Sequence, residues 1–305
     1  MREKTEIDRY VPKRKLRMAD RMMKDDCGGT ERRGTGKRFR VFLCLAAVFC
    51  WMAAGSGARG ARPSSAPETK GKYYALLLGQ RYGEGAGAEP LPAASLDAAA
   101  FGAMLGGLEN TPYQASLRFD LGRDEILAEI GRAFSAAEEE DLCLLYYSGH
   151  GKASGAAARR GILIGSEGGT VSPEELLAAL DQISGYKVLL LDSCYAGMLI
   201  PVLESRGKGA EKYAVLTAAG AREEAYNGKA AQGSYGWFTS AVLLGCGVQE
   251  LTGERLPRVP ADQNGDGAVS LREIWRFASD YLAGLSARQH PQLFLPEEDL
   301  ILWVR

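Results

Sequence analysis

The chain has 305 residues, 46% of them hydrophobic and 25% charged, which suffices for a full core and excludes a disordered or disulfide-stapled class. Its net charge of −1 conceals a basic front, with 14 Lys and Arg against 7 Asp and Glu in residues 1–40, and a body of net −8. Such a body excludes nucleic acid as a partner, and 38 glycines without a fixed period exclude a collagen-like rod.

Residues 1–58 read as a targeting region. After the basic GKRFR, the segment 39–54 (FRVFLCLAAVFCWMAA) is apolar except for Arg40, and small residues follow it. Ser56 and Ala58 fall at −3 and −1 of a signal cleavage site. Its sixteen residues rise only about 24 Å as a helix, against a hydrocarbon core of about 30 Å. That length favours a cleaved signal, with a membrane anchor at 39–54 as the alternative. A true start at Met22 or Met23 leads to the same destination, secreted or in the cell envelope. Phe49 before Cys50 argues against lipid attachment. Residues 59–71 (RGARPSSAPETKG) form a linker, which leaves 72–305 as the functional domain.

Within that domain, apolar runs alternate with helical patterns. Strands are predicted at 72–79, 115–121, 141–148, 186–193 and 212–218, several almost continuously apolar, as strands buried on both faces of a parallel sheet are. Helices are predicted at 93–108, 123–137, 172–184 and 234–246. The third opens on SPEE, where Ser172 caps, Pro173 suits the first turn and Glu175 completes a capping box. The pattern predicts an α/β fold, a three-layer α-β-α sandwich around a mostly parallel sheet.

The third strand runs into YYSGHG and the fourth into DSCYAG. Ligands of open parallel sheets bind beyond the carboxyl ends of strands, where His150 and Cys194 both fall. The 44 residues between them hold one helix and a possible hairpin near 161–168, enough for a single crossover. A thiol becomes a nucleophile when a nearby imidazole takes its proton. Gly149 and Gly151 are expected to let the chain turn around His150, and the N–H groups of Gly151 and Cys194 to face an oxyanion. Asp192 lies at the lip of the same crevice, on the strand face of Cys194. Cys143 and Cys246 read as core. His290, in RQHPQL, lacks a glycine frame and reads as a structural histidine. Three cysteines beyond the targeting region are too few, and odd in number, for a disulfide framework.

YYSGHG followed by LLLDSCYAG resembles the paired motifs of the caspase-like cysteine endopeptidases, the grouping of metacaspases, paracaspases, legumain and clostripain. The resemblance spans roughly 72–300, with GWFTSAVL at 236–243 similar to the helix start that follows the core. It implies a His150 general base, a Cys194 nucleophile, no required third catalytic residue, and peptides or proteins as substrates. Animal caspases read Gln-Ala-Cys-x-Gly where this chain has DSCYAG, so aspartate specificity is not implied and the metacaspase side is nearer. Asp97, in AASLDAAAF, resembles the acidic pocket residue of the metacaspase Asn-Asp-Ala motif; the alternative is a helix cap. With Asp192, and Ser148 at the pocket wall, it implies cleavage after Arg or Lys. Arg159 and Arg160 in one basic stretch, and Arg206 and Lys208 in 203–212, read as an exposed loop, are then candidate self-cleavage sites.

A separate motif, DQNGDGAVSLRE at 262–273, places Asp262, Asn264, Asp266, the Ala268 carbonyl, Ser270 and Glu273 at the oxygen-donor positions of an EF-hand-like loop, with Gly267 at its sharp turn. The segment before it does not read as a helix, so this is half an EF-hand, and calcium is the expected cofactor. LLLGQRYGEGAG lacks the order of a dinucleotide-binding loop. The alternative to an enzyme is a catalytically inactive, calcium-stabilised binding module of the envelope.

Overall fold

The computed structural model describes residues 71–304 apart from 84, 86–87, 154–160, 228–234, 250–252, 286–287 and 297–298. The segment 39–54 with Ser56 and Ala58, the linker up to residue 70, and Arg159 and Arg160 lie outside the described residues. Among the described residues, no helix is long and apolar enough to cross a membrane.

Five strands match the predicted apolar runs: β1 (Tyr73–Gly79), β2 (Tyr113–Phe119), β3 (Leu142–Ser148), β6 (Tyr186–Asp192) and β7 (Tyr213–Thr217). They pair in parallel in the order β2-β1-β3-β6-β7, and a short β9 (Gln292–Phe294) adds antiparallel to β7. Two small antiparallel pairs stand beside this sheet. One is β4 (Leu163–Ile164) with β5 (Thr170–Val171), so the hairpin near 161–168 extends to residue 171. The other is β8 (Ala268–Ser270) with β10 (Ile301–Val304).

Side chains alternate across the sheet, and each parity feeds a different core. Ala75, Leu77, Leu144, Tyr146, Val188 and Leu190 pack with α1 (Pro92–Gly106), α5 (Trp237–Gly245) and α6 (Leu271–Gly284). Leu76, Leu78, Leu145, Tyr147, Leu189 and Leu191 pack with α2 (Arg123–Ala133), α3 (Pro173–Leu180) and α4 (Leu199–Ser205). Those two cores make the three-layer α-β-α sandwich. Ser172 caps α3 as its sequence signals: its Oγ accepts from Glu175 N at 3.2 Å and Glu175 Oε2 accepts from Ser172 N at 3.0 Å.

Some details differ from the sequence expectation. Residues 203–212 are not a loop: α4 reaches Ser205, and a 3-10 turn covers Gly207–Ala210. Leu203 and Ala210 are buried there and hold the segment to the sheet. Helix α1 begins at Pro92 without a side-chain cap, which removes the capping role for Asp97, six residues in.

Phe101 of α1 is fully buried and stacks on Tyr146 of β3, with centroids 4.5 Å apart and planes 12° from parallel. Truncation there leaves a large cavity between helix and sheet. Phe101→Ala is expected to lower the unfolding free energy by about 3–5 kcal/mol, measured by urea titration.

Candidate active site

The site begins from strand register. Ser148 and Asp192 are paired neighbours at the ends of β3 and β6, so the two chains leave the sheet side by side. Gly149 N donates to the Asp192 carbonyl at 3.2 Å. Two residues on, Gly151 lies against the Cys194 backbone so closely that a Cβ on it would collide with the Cys194 carbonyl oxygen. His150 and Cys194 therefore share one rim, each half-buried. Neither glycine has a positive φ, so their role differs from the expected sharp turn. Each makes room: Gly151 for Cys194, Gly149 for the hydroxyls of Tyr147 and Tyr82.

His150 Nε2 lies 2.8 Å from the Glu89 carbonyl oxygen. A carbonyl only accepts, so Nε2 carries the proton in the neutral ring and Nδ1 is the free base. Sequence reasoning missed Glu89 because any residue supplies a carbonyl. It also missed Tyr82, whose ring lies 4.6 Å from the imidazole.

Cys194 Sγ accepts from Ala225 N at 3.4 Å. Burial pushes its thiol pKa up; the Ala225 bond opposes this, while Glu224 and Asp192 add to it. The resting group is a thiol that needs a base. Tyr195 follows with φ +61°, its N donating to Glu223 O at 2.8 Å, and a 3-10 turn over Ala196–Met198 carries the chain into α4. Glu223 is held in turn by His290, whose Nδ1 lies 2.8 Å from Oε1. His290 is thus a paired surface residue, away from the dyad's own contacts.

Asp97 and Asp192 come together on the α1/α5 side, at 1% and 5% exposure. Asp97 Oδ2 accepts from Ser148 Oγ at 2.7 Å and Oδ1 from Gly236 N at 2.9 Å. Asp192 Oδ2 accepts from Thr239 Oγ1 at 2.6 Å and Thr239 N at 3.2 Å, and Tyr146 hydroxyl lies 2.6 Å from that Thr239 oxygen. A Cβ on Gly236 would collide with the Asp192 carboxylate and sit 3.3 Å from Asp97 Oδ2. Thr239 and Gly236 carried no motif signal of their own. Among the described residues no Lys, Arg or His forms an ion pair with either carboxyl. Burial raises both pKa values, Asp192 to about 6 and Asp97 well above its usual range, the latter also by the charge of Asp192.

The loop at 262–273 holds itself together. Asp262 accepts from Gly265 N at 2.8 Å and Gly267 N at 3.2 Å, and Asp266 Oδ1 from Ala268 N at 2.8 Å. Gly265 and Gly267 take the left-handed φ of +74° and +82° that its turn needs. Glu273 instead caps α6, accepting from Ser270 N at 3.0 Å. Among the described residues, no three His, Cys, Asp or Glu side chains are gathered together. Of the self-cleavage candidates, Arg206 ends α4 with Nη1 at 2.9 and 3.0 Å from the Asp181 carboxylate, and Lys208 is exposed on the 3-10 turn.

The caspase-domain family model matches residues 72–256. Caspase-1 from Spodoptera frugiperda superposes with a TM-score of 0.54 at 10% identity, over 77% of this chain and 93% of that one. Protein GSU0716 from Geobacter sulfurreducens does so with a TM-score of 0.51 at 18% identity, over 73% and 92%. No curated protein matches in sequence.

The carboxyl pair makes stability depend on pH. Unfolded, an aspartate titrates near 3.8; folded, Asp192 titrates at about 6, so between those values the native state binds more protons. Stability contributed by the neutral carboxyl is complete below pH 3.8 and is lost as pH rises through 6. Asp192→Asn is expected to gain stability relative to the parent between pH 5 and pH 8. Denaturant titrations at those two values measure it, and a pH-independent difference contradicts the assignment.

Proposed function

Because this chain belongs to the caspase-domain family, we propose that it is a cysteine endopeptidase that cuts after Arg or Lys with a His150/Cys194 dyad. The observation that carries this reading is the close packing of Gly151 on the Cys194 carbonyl, which brings both motif loops to one rim. His150 Nδ1 takes the Cys194 thiol proton as sulfur attacks the scissile carbonyl carbon. Charge on the carbonyl oxygen is met by the N–H groups of Gly151 and Cys194. The imidazolium returns its proton to the leaving amine, giving a thioester. Water, deprotonated by His150, attacks the thioester; the acid is released and the thiol reforms.

The preference for a basic residue rests on Asp97 and Asp192. Two buried carboxyls without a cation partner among the described residues are costly when ionised, and an arriving guanidinium or ammonium lowers that cost. Ser148 holds Asp97 from the strand side. The N-terminal segment 39–54 is proposed as a secretory signal or, uncleaved, as an anchor, placing the enzyme outside the cytoplasm. Calcium is proposed at 262–273, held by Asp262, Asn264, Asp266, the Ala268 carbonyl, Ser270 and Glu273. The hard-oxygen donor set and the two left-handed glycines support that assignment. Self-cleavage at Arg159, Arg160, Arg206 or Lys208 is part of the same proposal, read by intact mass of the active enzyme.

A thiol-directed acylating probe is expected to label Cys194 selectively, with labelling abolished by His150→Ala. A wild-type protein left unlabelled while folded points instead to a binding module. Asp97→Ala is expected to lower kcat/KM on arginyl peptides by at least about 100-fold, consistent with losing a charge-assisted contact. Calcium at about a hundred times its Kd should raise unfolding free energy by about 2.7 kcal/mol, and Asp262→Ala should remove the gain.

A further inference from the structure

Tyr82 lies outside both motifs, yet it touches His150 through both its ring and its hydroxyl. Its side chain is fully buried, and its ring lies against the imidazole at 4.6 Å and 33°. Its hydroxyl accepts the His150 N–H at 2.9 Å and donates to the Ile164 carbonyl at 2.9 Å. Tyr147 of β3 does the complementary work, donating to the His150 carbonyl at 2.9 Å and accepting from Ile164 N at 2.9 Å. The two hydroxyls are 3.0 Å apart. Both backbone polar groups of His150 therefore end on buried phenols, Tyr147 in β3 and Tyr82 just beyond the end of β1.

The surroundings hold Tyr82 as firmly. It has φ +55°, rare for a bulky residue and stable only where packing over-determines it. Just before it, Gln80 N donates to Ser148 O at 3.0 Å, and the Gln80 side chain bridges Leu121 through both its amide atoms at 2.6 and 2.9 Å. Gly149 leaves the space that the two hydroxyls fill. An imidazole is a base at one nitrogen and a donor at the other, so a ring free to turn offers either. Here one face is covered by Tyr82 and Nε2 meets the Glu89 carbonyl.

We propose that Tyr82 is a positioning residue for His150: its ring and hydroxyl hold the imidazole with Nε2–H on Glu89 and Nδ1 left as the base. The chemical consequence rests on the endopeptidase reading above; the placement itself does not.

The chain has only two histidines, so nitrogen-15 NMR of the neutral imidazoles resolves both, and His290→Gln assigns them. Wild-type His150 is expected as a single Nε2–H tautomer. Folded Tyr82→Leu is expected to show both tautomers and a fall of about 10- to 100-fold in kcat on an arginyl peptide, with KM within about twofold. Tyr82→Phe keeps the ring and is expected to recover the tautomer and most of the kcat, while exchange of the His150 amide hydrogen speeds about tenfold. If Tyr82→Leu does not fold, this Phe variant decides: unchanged amide exchange overturns the proposal. A folded Tyr82→Leu protein with the wild-type tautomer also overturns it. A wild-type enzyme without peptidase activity sinks the endopeptidase reading instead, and the tautomer signal still decides Tyr82.

Discussion

One packing constraint underlies the rest of the site: the place where a side chain at residue 151 would stand is taken by the carbonyl oxygen of Cys194. Two loops from adjacent parallel strands can approach so closely only if one lacks a Cβ and the strands end level. Both conditions hold, since Ser148 and Asp192 are register partners. The loops that carry His150 and Cys194 are thereby held against one another at one end of the sheet. The sheet supplies the rigidity, because β3 and β6 are buried on both faces by two separate cores. Catalytic geometry built on such strands is held far better than geometry on loops alone.

The same alternation decides where charge collects. Even-numbered positions of β3 and β6 face α1 and α5, so Ser148 and Asp192 turn toward Asp97 and Thr239 rather than toward the opposite layer. Each carboxyl is held by neutral donors, and burial pushes both toward the protonated form. Hydrogen bonds from hydroxyls and amides lower the cost of burying a charge but do not cancel it. The fold itself is shared with solved structures at as little as 10% identity, so what differs between them lies in such side chains.

The surroundings of Cys194 are held by backbone groups as much as by side chains. Ala225 N meets the sulfur, Glu223 O meets the next N–H, and His290 ties Glu223 from the surface. On the other side, Glu89 O and the two tyrosine hydroxyls hold His150. Burial raises the Cys194 thiol pKa, while the Glu89 carbonyl fixes which imidazole nitrogen of His150 it faces.

Much of this was legible in the amino-acid order. Continuous apolar runs marked β1, β3, β6 and β7 because those strands are buried on both faces, and SPEE marked the start of α3 because capping is a local hydrogen-bond problem. His150, framed by Gly149 and Gly151, and Cys194, at the ends of neighbouring runs, announced the shared rim. What the order could not announce were the contacts between distant residues, such as Glu89 with His150 and Tyr82 with His150, separated by 61 and 68 positions. Nor could it show that 203–212 folds into helical turns over buried Leu203 and Ala210. Periodicity, capping and chemistry-bearing residue types are local properties and can be read along a chain. Which carbonyl meets an imidazole, or which hydroxyl meets a carboxylate, depends on how separate elements pack, and only the assembled sheet decides that.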